Sequence, residues 1–189
     1  MNNKLKACII VILWIVLALG LVLFKEFTLQ TGTTILLKTQ PVDPRDLFRG
    51  DYVTLNYQIS RVQTKETEWN PGDTAYVYLT HDGKYSIVDH VSKVKEVSNL
   101  PFLKARVQWF DNFGIPFRKI EQAPLPHPTL SPQLNVQYGI ESYFVPEGQG
   151  KFLERARNTK VLDVEVAVDR FGNGVIRSLQ VDGKAISYS

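Results

Sequence analysis

Cysteine is almost absent from this chain of 189 residues, and the single one, Cys8, lies inside an apolar run near the N-terminus. Beyond that run no disulfide can form, so a folded domain there must be held by its core alone. A lipid-modified cysteine is excluded too, because it would follow the apolar run and Cys8 sits at its start. Histidine is scarce: His81, His90 and His127 are far apart, and none has a Cys or a second His at metal-ligand spacing. No metal and no cofactor is therefore expected. Glycine-rich phosphate cradles are missing, since Gly148-x-Gly150 has neither a preceding strand and turn nor a third glycine. Charge of one sign is not in excess either. The 22 basic residues less Lys4 and Lys6 leave 20 against 19 acidic ones, which gives no basis for a nucleic-acid partner.

What is present begins with residues 7–24, a run of uncharged and mostly aliphatic side chains. As a helix it would be roughly 27 Å long, close to the hydrocarbon thickness of a bilayer. A cleaved signal peptide would have a shorter run followed by a small-x-small site. Phe24-Lys25-Glu26-Phe27 is not one, and Ala18-x-Gly20 lies within the run itself. Lys4, Lys6 and the amino group outweigh Lys25, which Glu26 offsets, so the positive-inside rule keeps the N-terminus cytoplasmic. The expected organisation is a cytoplasmic tail over 1–6, a transmembrane anchor over 7–24, a connector over 25–33 and an extracytoplasmic β-rich domain over 34–189.

Period-two alternation carries that β assignment. Strands are expected over 34–39, 52–60, 74–80, 85–97, 103–110, 160–169, 175–181 and 185–188. Turns fall at 69–73, at Asp82-Gly83, at Asn173-Gly174 and at Asp182-Gly183. Residues 160–181 read as the clearest hairpin, with Leu162, Val164, Val166 and Val168 opposite Asp163, Glu165 and Asp169. Leu103, Ala105, Val107 and Trp109 share one face of their strand, so the sheet is half solvated. Four prolines in 122–133 predict an extended spacer. Pro146-Glu147 opens a short helix over 147–157. The fold class expected is mainly β, built of antiparallel hairpins as a sandwich or partly open barrel, with one transmembrane helix and one short helix.

The densest positional chemistry is in residues 40–57, QPVDPRDLFRGDYVTLNY. Pro41 and Pro44 forbid a helix, and Asp43-Pro44-Arg45-Asp46 reads as a type I turn. Arg49-Gly50-Asp51 turns again, and Val53, Leu55, Tyr57 and Ile59 then share an apolar face. The same parity puts Asp51 on that face, where Arg45 or Arg49 must satisfy its charge. Leu47 and Phe48 either present a recognition surface or fold back as a plug for the end of the sheet.

This segment resembles the signature of the GDYXXXLXY family of bacterial membrane-anchored proteins, and residues 138–154, YGIESYFVPEGQGKFLE, resemble its second block. The likeness covers nearly the whole chain. In this sequence the spacing Gly50-Asp51-Tyr52, Leu55, Tyr57 is one residue tighter than that name spells. The resemblance implies an envelope protein of uncharacterised function, with a multi-span membrane protein as partner. A looser likeness to the segment after the nucleophile of signal peptidases fails on chemistry. Gln40, Pro41 and Val42 stand where the serine motif would be, and no serine lies between the apolar run and Ser60.

Two functions follow. The first is a non-catalytic module that binds a membrane or envelope partner through Asp43, Arg45, Asp46, Leu47, Phe48, Arg49 and Asp51. The second is an envelope enzyme using Asp51 or Asp46, with Arg45 or Arg49, on a cell-wall or small-molecule substrate. The sequence shows no nucleophile and base set that would name its reaction.

Overall fold

The computed structural model describes residues 3–40, 52–66, 68–111, 132–144 and 162–186. Its first element is α1, Asn3–Thr31. At 1.5 Å per residue α1 is about 43 Å long. From Leu5 to Phe24 its large apolar side chains are exposed all round. A soluble core helix would be covered by its own domain; α1 is instead long and apolar enough to cross a membrane. The connector expected over 25–33 is helical as far as Thr31.

The rest of the described chain is mainly β structure, as the alternation predicts. The strands are β1 (Thr33–Lys38), β2 (Tyr52–Thr54), β3 (Arg61–Gln63), β4 (Thr74–Asp82), β5 (Tyr85–Ser92), β6 (Phe102–Asp111), β7 (Gln133–Gln137), β8 (Ser142–Phe144), β9 (Leu162–Val168), β10 (Gly174–Val181) and β11 (Lys184–Ala185). They form a four-stranded sheet, β1-β9-β10-β11, a five-stranded sheet, β3-β7-β6-β4-β5, and the pair β2-β8. All pairings are antiparallel. The sheets wrap one core in a partly closed, barrel-like arrangement, with Ile35, Leu37, Leu55, Val77, Leu103, Leu134, Val164 and Leu179 almost wholly inside.

Several expected strands are altered in instructive ways. The strand expected over 52–60 keeps its buried face, Val53, Leu55, Tyr57 and Ile59, but not a continuous ladder. It changes partners instead. β2 pairs β8, Thr39 and Tyr57 form an isolated bridge, and a 3-10 turn at Gln58–Ser60 hands the chain to β3 on the other sheet. Trp109 is correspondingly not on the core face. A bulge between Val107 and Trp109 reverses the parity, so Phe110 packs inward and Trp109 is exposed. A second bulge, between Tyr78 and Leu79, lets Tyr78 be buried alongside Leu79. β5 ends at Ser92, five residues before the expected end at Val97. Gln133, counted with the proline spacer, is the first residue of β7. The hairpin of β9 and β10 stands as expected. The short helix expected over 147–157 lies outside the described residues.

Candidate functional site

Asp43, Arg45, Asp46, Leu47, Phe48, Arg49 and Asp51 all lie outside the described residues; the structure places only the two stalks of their loop. Thr39 closes β1, its hydroxyl donating to the Leu162 carbonyl at 2.5 Å, and the Gln40 N–H donates to the Asn56 carbonyl at 2.7 Å. β1 leaves α1 and runs six residues, about 20 Å, before that stalk. The loop therefore departs from the end of β1 opposite α1.

The two blocks of the family signature meet in space. Tyr52, Val53 and Thr54 pair with Phe144, Tyr143 and Ser142, and the Leu55 N–H donates to the Glu141 carbonyl. Tyr57 and Tyr138 are set edge to face, 6.5 Å between ring centroids. Their hydroxyls donate across each other's segment at 2.5 Å, Tyr57 to the Ile140 carbonyl and Tyr138 to the Ile59 carbonyl. The Glu141 carboxylate accepts from the Tyr138 and Gly139 N–H groups. Burial, with Glu141 adding to it, pushes both phenols well above their usual range, so they act as fixed hydrogen-bond donors. Leu55 and Tyr57 thus build a core clasp next to the stalk at Thr39 and Gln40.

A polar cluster that the sequence did not single out adjoins this end. Asp163 is paired with Lys38 across β1 and β9 and is 1% exposed. Its Oδ2 accepts from Lys84 Nζ at 3.2 Å and from the Tyr85 hydroxyl at 3.0 Å. Its Oδ1 and the buried Ser86 Oγ have no hydrogen-bond partner among the described residues. Lys38 and Lys84 both stand over the Tyr85 ring, at 5.7 and 5.4 Å from its centroid. Partial desolvation and the bond to Asp163 raise the Tyr85 phenol. Lys38, Arg61, Tyr85 and Ser86 line a cleft of about 540 Å³ here. The cleft is lined by cations and hydroxyls, with the buried Asp163 carboxylate fixed behind Tyr85. Among the described residues no group of His, Cys, Asp and Glu is arranged to hold a metal. Asp163 was legible only as a polar-face residue of its strand; its signal was that β9 is a central strand, covered on both faces.

The opposite end is where α1 joins the domain. Thr28 is buried, and Gly32 is pressed so close that an added Cβ would lie 2.5 Å from the Thr28 carbonyl oxygen and 3.0 Å from that of Val168. Arg177, on β10, donates to the Leu29 carbonyl and, at 2.7 Å, to the Thr34 hydroxyl. The loop 93–101 beside this joint is pinned by Tyr78, whose hydroxyl accepts from the Glu96 N–H at 2.6 Å. His90 stacks on Tyr78 and reaches Asp89 at 2.7 Å and Glu96 at 3.2 Å. These carboxylates raise its pKa above the usual histidine value.

No curated protein and no solved structure matches the chain. A family described as GDYXXLXY protein matches residues 14–179. Its name, with two intervening positions, fits Gly50-Asp51-Tyr52-x-x-Leu55-x-Tyr57 letter for letter, which corrects the longer spelling. Matched from the middle of α1 into β10, the chain belongs to the GDYXXLXY protein family.

Proposed function

We propose that this protein is a non-catalytic envelope module, anchored by α1 with its N-terminus in the cytoplasm, that presents the far end of its β domain to a membrane or envelope partner. The partner that fits best is a multi-span membrane protein, because a domain held close to the bilayer meets such proteins by lateral diffusion. The observation that carries the reading is the joint between α1 and the sheet. Thr28, Gly32 and Arg177 lock the helix to β9 and β10, so the domain has a fixed height and a fixed outward end. The Asp163 cluster and the stalk at Thr39 and Gln40, from which residues 42–50 continue, belong to that end.

Purification of the full chain from detergent-solubilised membranes tests it. A stoichiometric multi-span protein is expected, lost on Leu47→Ser with Phe48→Ser while the domain keeps its melting temperature. Unfolding of that variant would make these residues a core plug and remove the loop from the binding surface. A second reading, an envelope enzyme acting through Asp51, Arg45 and Arg49 on a cell-wall or small-molecule substrate, is favoured by one observation, the oxygen of buried Asp163 that has no partner among the described residues, opposite Lys38 at the stalk. Turnover of such a substrate by the partner-free chain would establish it.

A further inference from the structure

A cavity of about 750 Å³ lies beside the last turns of α1. Phe24, Phe27 and Thr28 form one wall, and Leu100, Phe102 and Phe171 the other. Lys95 and Arg170 stand at the same cavity. Lys95 Nζ donates to the Arg170 carbonyl at 2.9 Å and lies 5.0 Å from the centroid of the Phe102 ring. The Arg170 guanidinium is 4.8 Å from that of Phe171. Neither cation has an ion pair among the described residues. The two acids of the lining are engaged: Glu96 with His90, and Asp169 with the N–H groups of Phe171 and Asn173 and the Asn173 side-chain amide. The cavity therefore combines aromatic walls with two cations that are not ion-paired to its two acids, Glu96 and Asp169.

Its depth is fixed by α1. The apolar run ends at Phe24, and Thr28 and Thr31 lie about 6 and 10 Å further along the axis. A headgroup layer is roughly 5–8 Å thick on each side of the hydrocarbon. The cavity thus spans the edge of the hydrocarbon and the phosphate level. Val94, Val97 and Phe171, on the loop and turn around it, are exposed apolar side chains of the kind that enter an interface.

We propose that this cavity holds one anionic phospholipid, its phosphate between Lys95 and Arg170 and an acyl chain against Phe24 and Phe27. The inference rests on α1 spanning a bilayer. Two cations at the surface favour an anionic over a zwitterionic lipid by up to about 30-fold, a ceiling that Glu96 and Asp169 in the same lining lower. The full chain, delipidated in mild detergent and offered phosphatidylglycerol or phosphatidylcholine, is examined by native mass spectrometry. One retained phosphatidylglycerol with that preference is expected. Lys95→Glu with Arg170→Glu should abolish the preference, Lys95→Arg with Arg170→Lys should keep it, and Lys184→Ala on exposed β11 should change nothing. Equal retention of both lipids, indifference to the charge reversal, displacement by millimolar inorganic phosphate, or a co-purifying transmembrane helix that excludes lipid would each overturn the proposal. Alkaline carbonate extraction separates the two failures. Release of the chain from membranes defeats the spanning reading itself, whereas a chain that stays in the membrane without lipid selectivity defeats only the lipid site.

Discussion

β9 has two unlike ends. At Val168 it meets α1 across Gly32, with backbone atoms in contact. At Leu162 and Asp163, about 20 Å away, it meets cations, hydroxyls and a loop stalk, and two buried polar atoms keep bonding capacity to spare. The first end fixes the helix to the sheet, and the second carries buried polar atoms without a partner among the described residues. One strand serves both because its neighbours differ: α1 and β10 at the foot, the β4–β5 turn at the top.

The sharpest way to break this comparison is to part the foot. Gly32→Val places methyl groups against two backbone carbonyls that cannot move aside. It should lower the stability of the full chain in detergent by about 3 kcal/mol, measured by thermal unfolding. An unchanged melting temperature would mean that α1 is only loosely attached. Tyr57→Phe tests the clasp under the far end. It leaves the buried Ile140 carbonyl without its donor, and urea unfolding should show a loss of about 2 kcal/mol.

Asp163→Asn should matter less, about 1 kcal/mol. The lost bonds are offset by no longer burying a charge, and Lys84 is half exposed, so solvent screens the pair. A much larger loss would move the Asp163 cluster from ligand surface to structural staple. The smallest effect expected is a pH dependence at the foot. The His90 pKa is raised by Asp89 and Glu96, so its contribution is fully present below about pH 6.5 and is lost as pH rises through the folded value. The unfolding midpoint of the wild type should fall slightly across that window relative to His90→Gln, and an NMR titration should place His90 above the usual histidine value.

Much of this was readable beforehand because burial alternates wherever a strand keeps one partner. The β9–β10 hairpin and the face of Val53, Leu55, Tyr57 and Ile59 needed nothing more than period two. Bulges were not readable: Val107 to Trp109 differs from an unbroken alternation only through cross-strand register, which involves residues far along the chain. The pairing of Asp163 with Lys84 and Tyr85 joins residues nearly 80 positions apart, and no local spacing encodes it. The apolar run was legible, but its continuation as helix to Thr31 depends on tertiary contacts with β9 and β10. The loop residues 43–51 were marked by composition, and the structure adds the position of their stalks.

The central claim is that the foot lies at the bilayer surface and the Asp163 end points away from it. Spin labels at Phe171→Cys and Lys84→Cys, each in a Cys8→Ala background and reconstituted in phosphatidylglycerol-containing vesicles, report depth through their accessibility to oxygen and to a water-soluble nickel chelate. The claim predicts a label at position 171 at headgroup level and one at position 84 fully in water, about 20 Å further out. Equal exposure of both labels to the water-soluble reagent would contradict it.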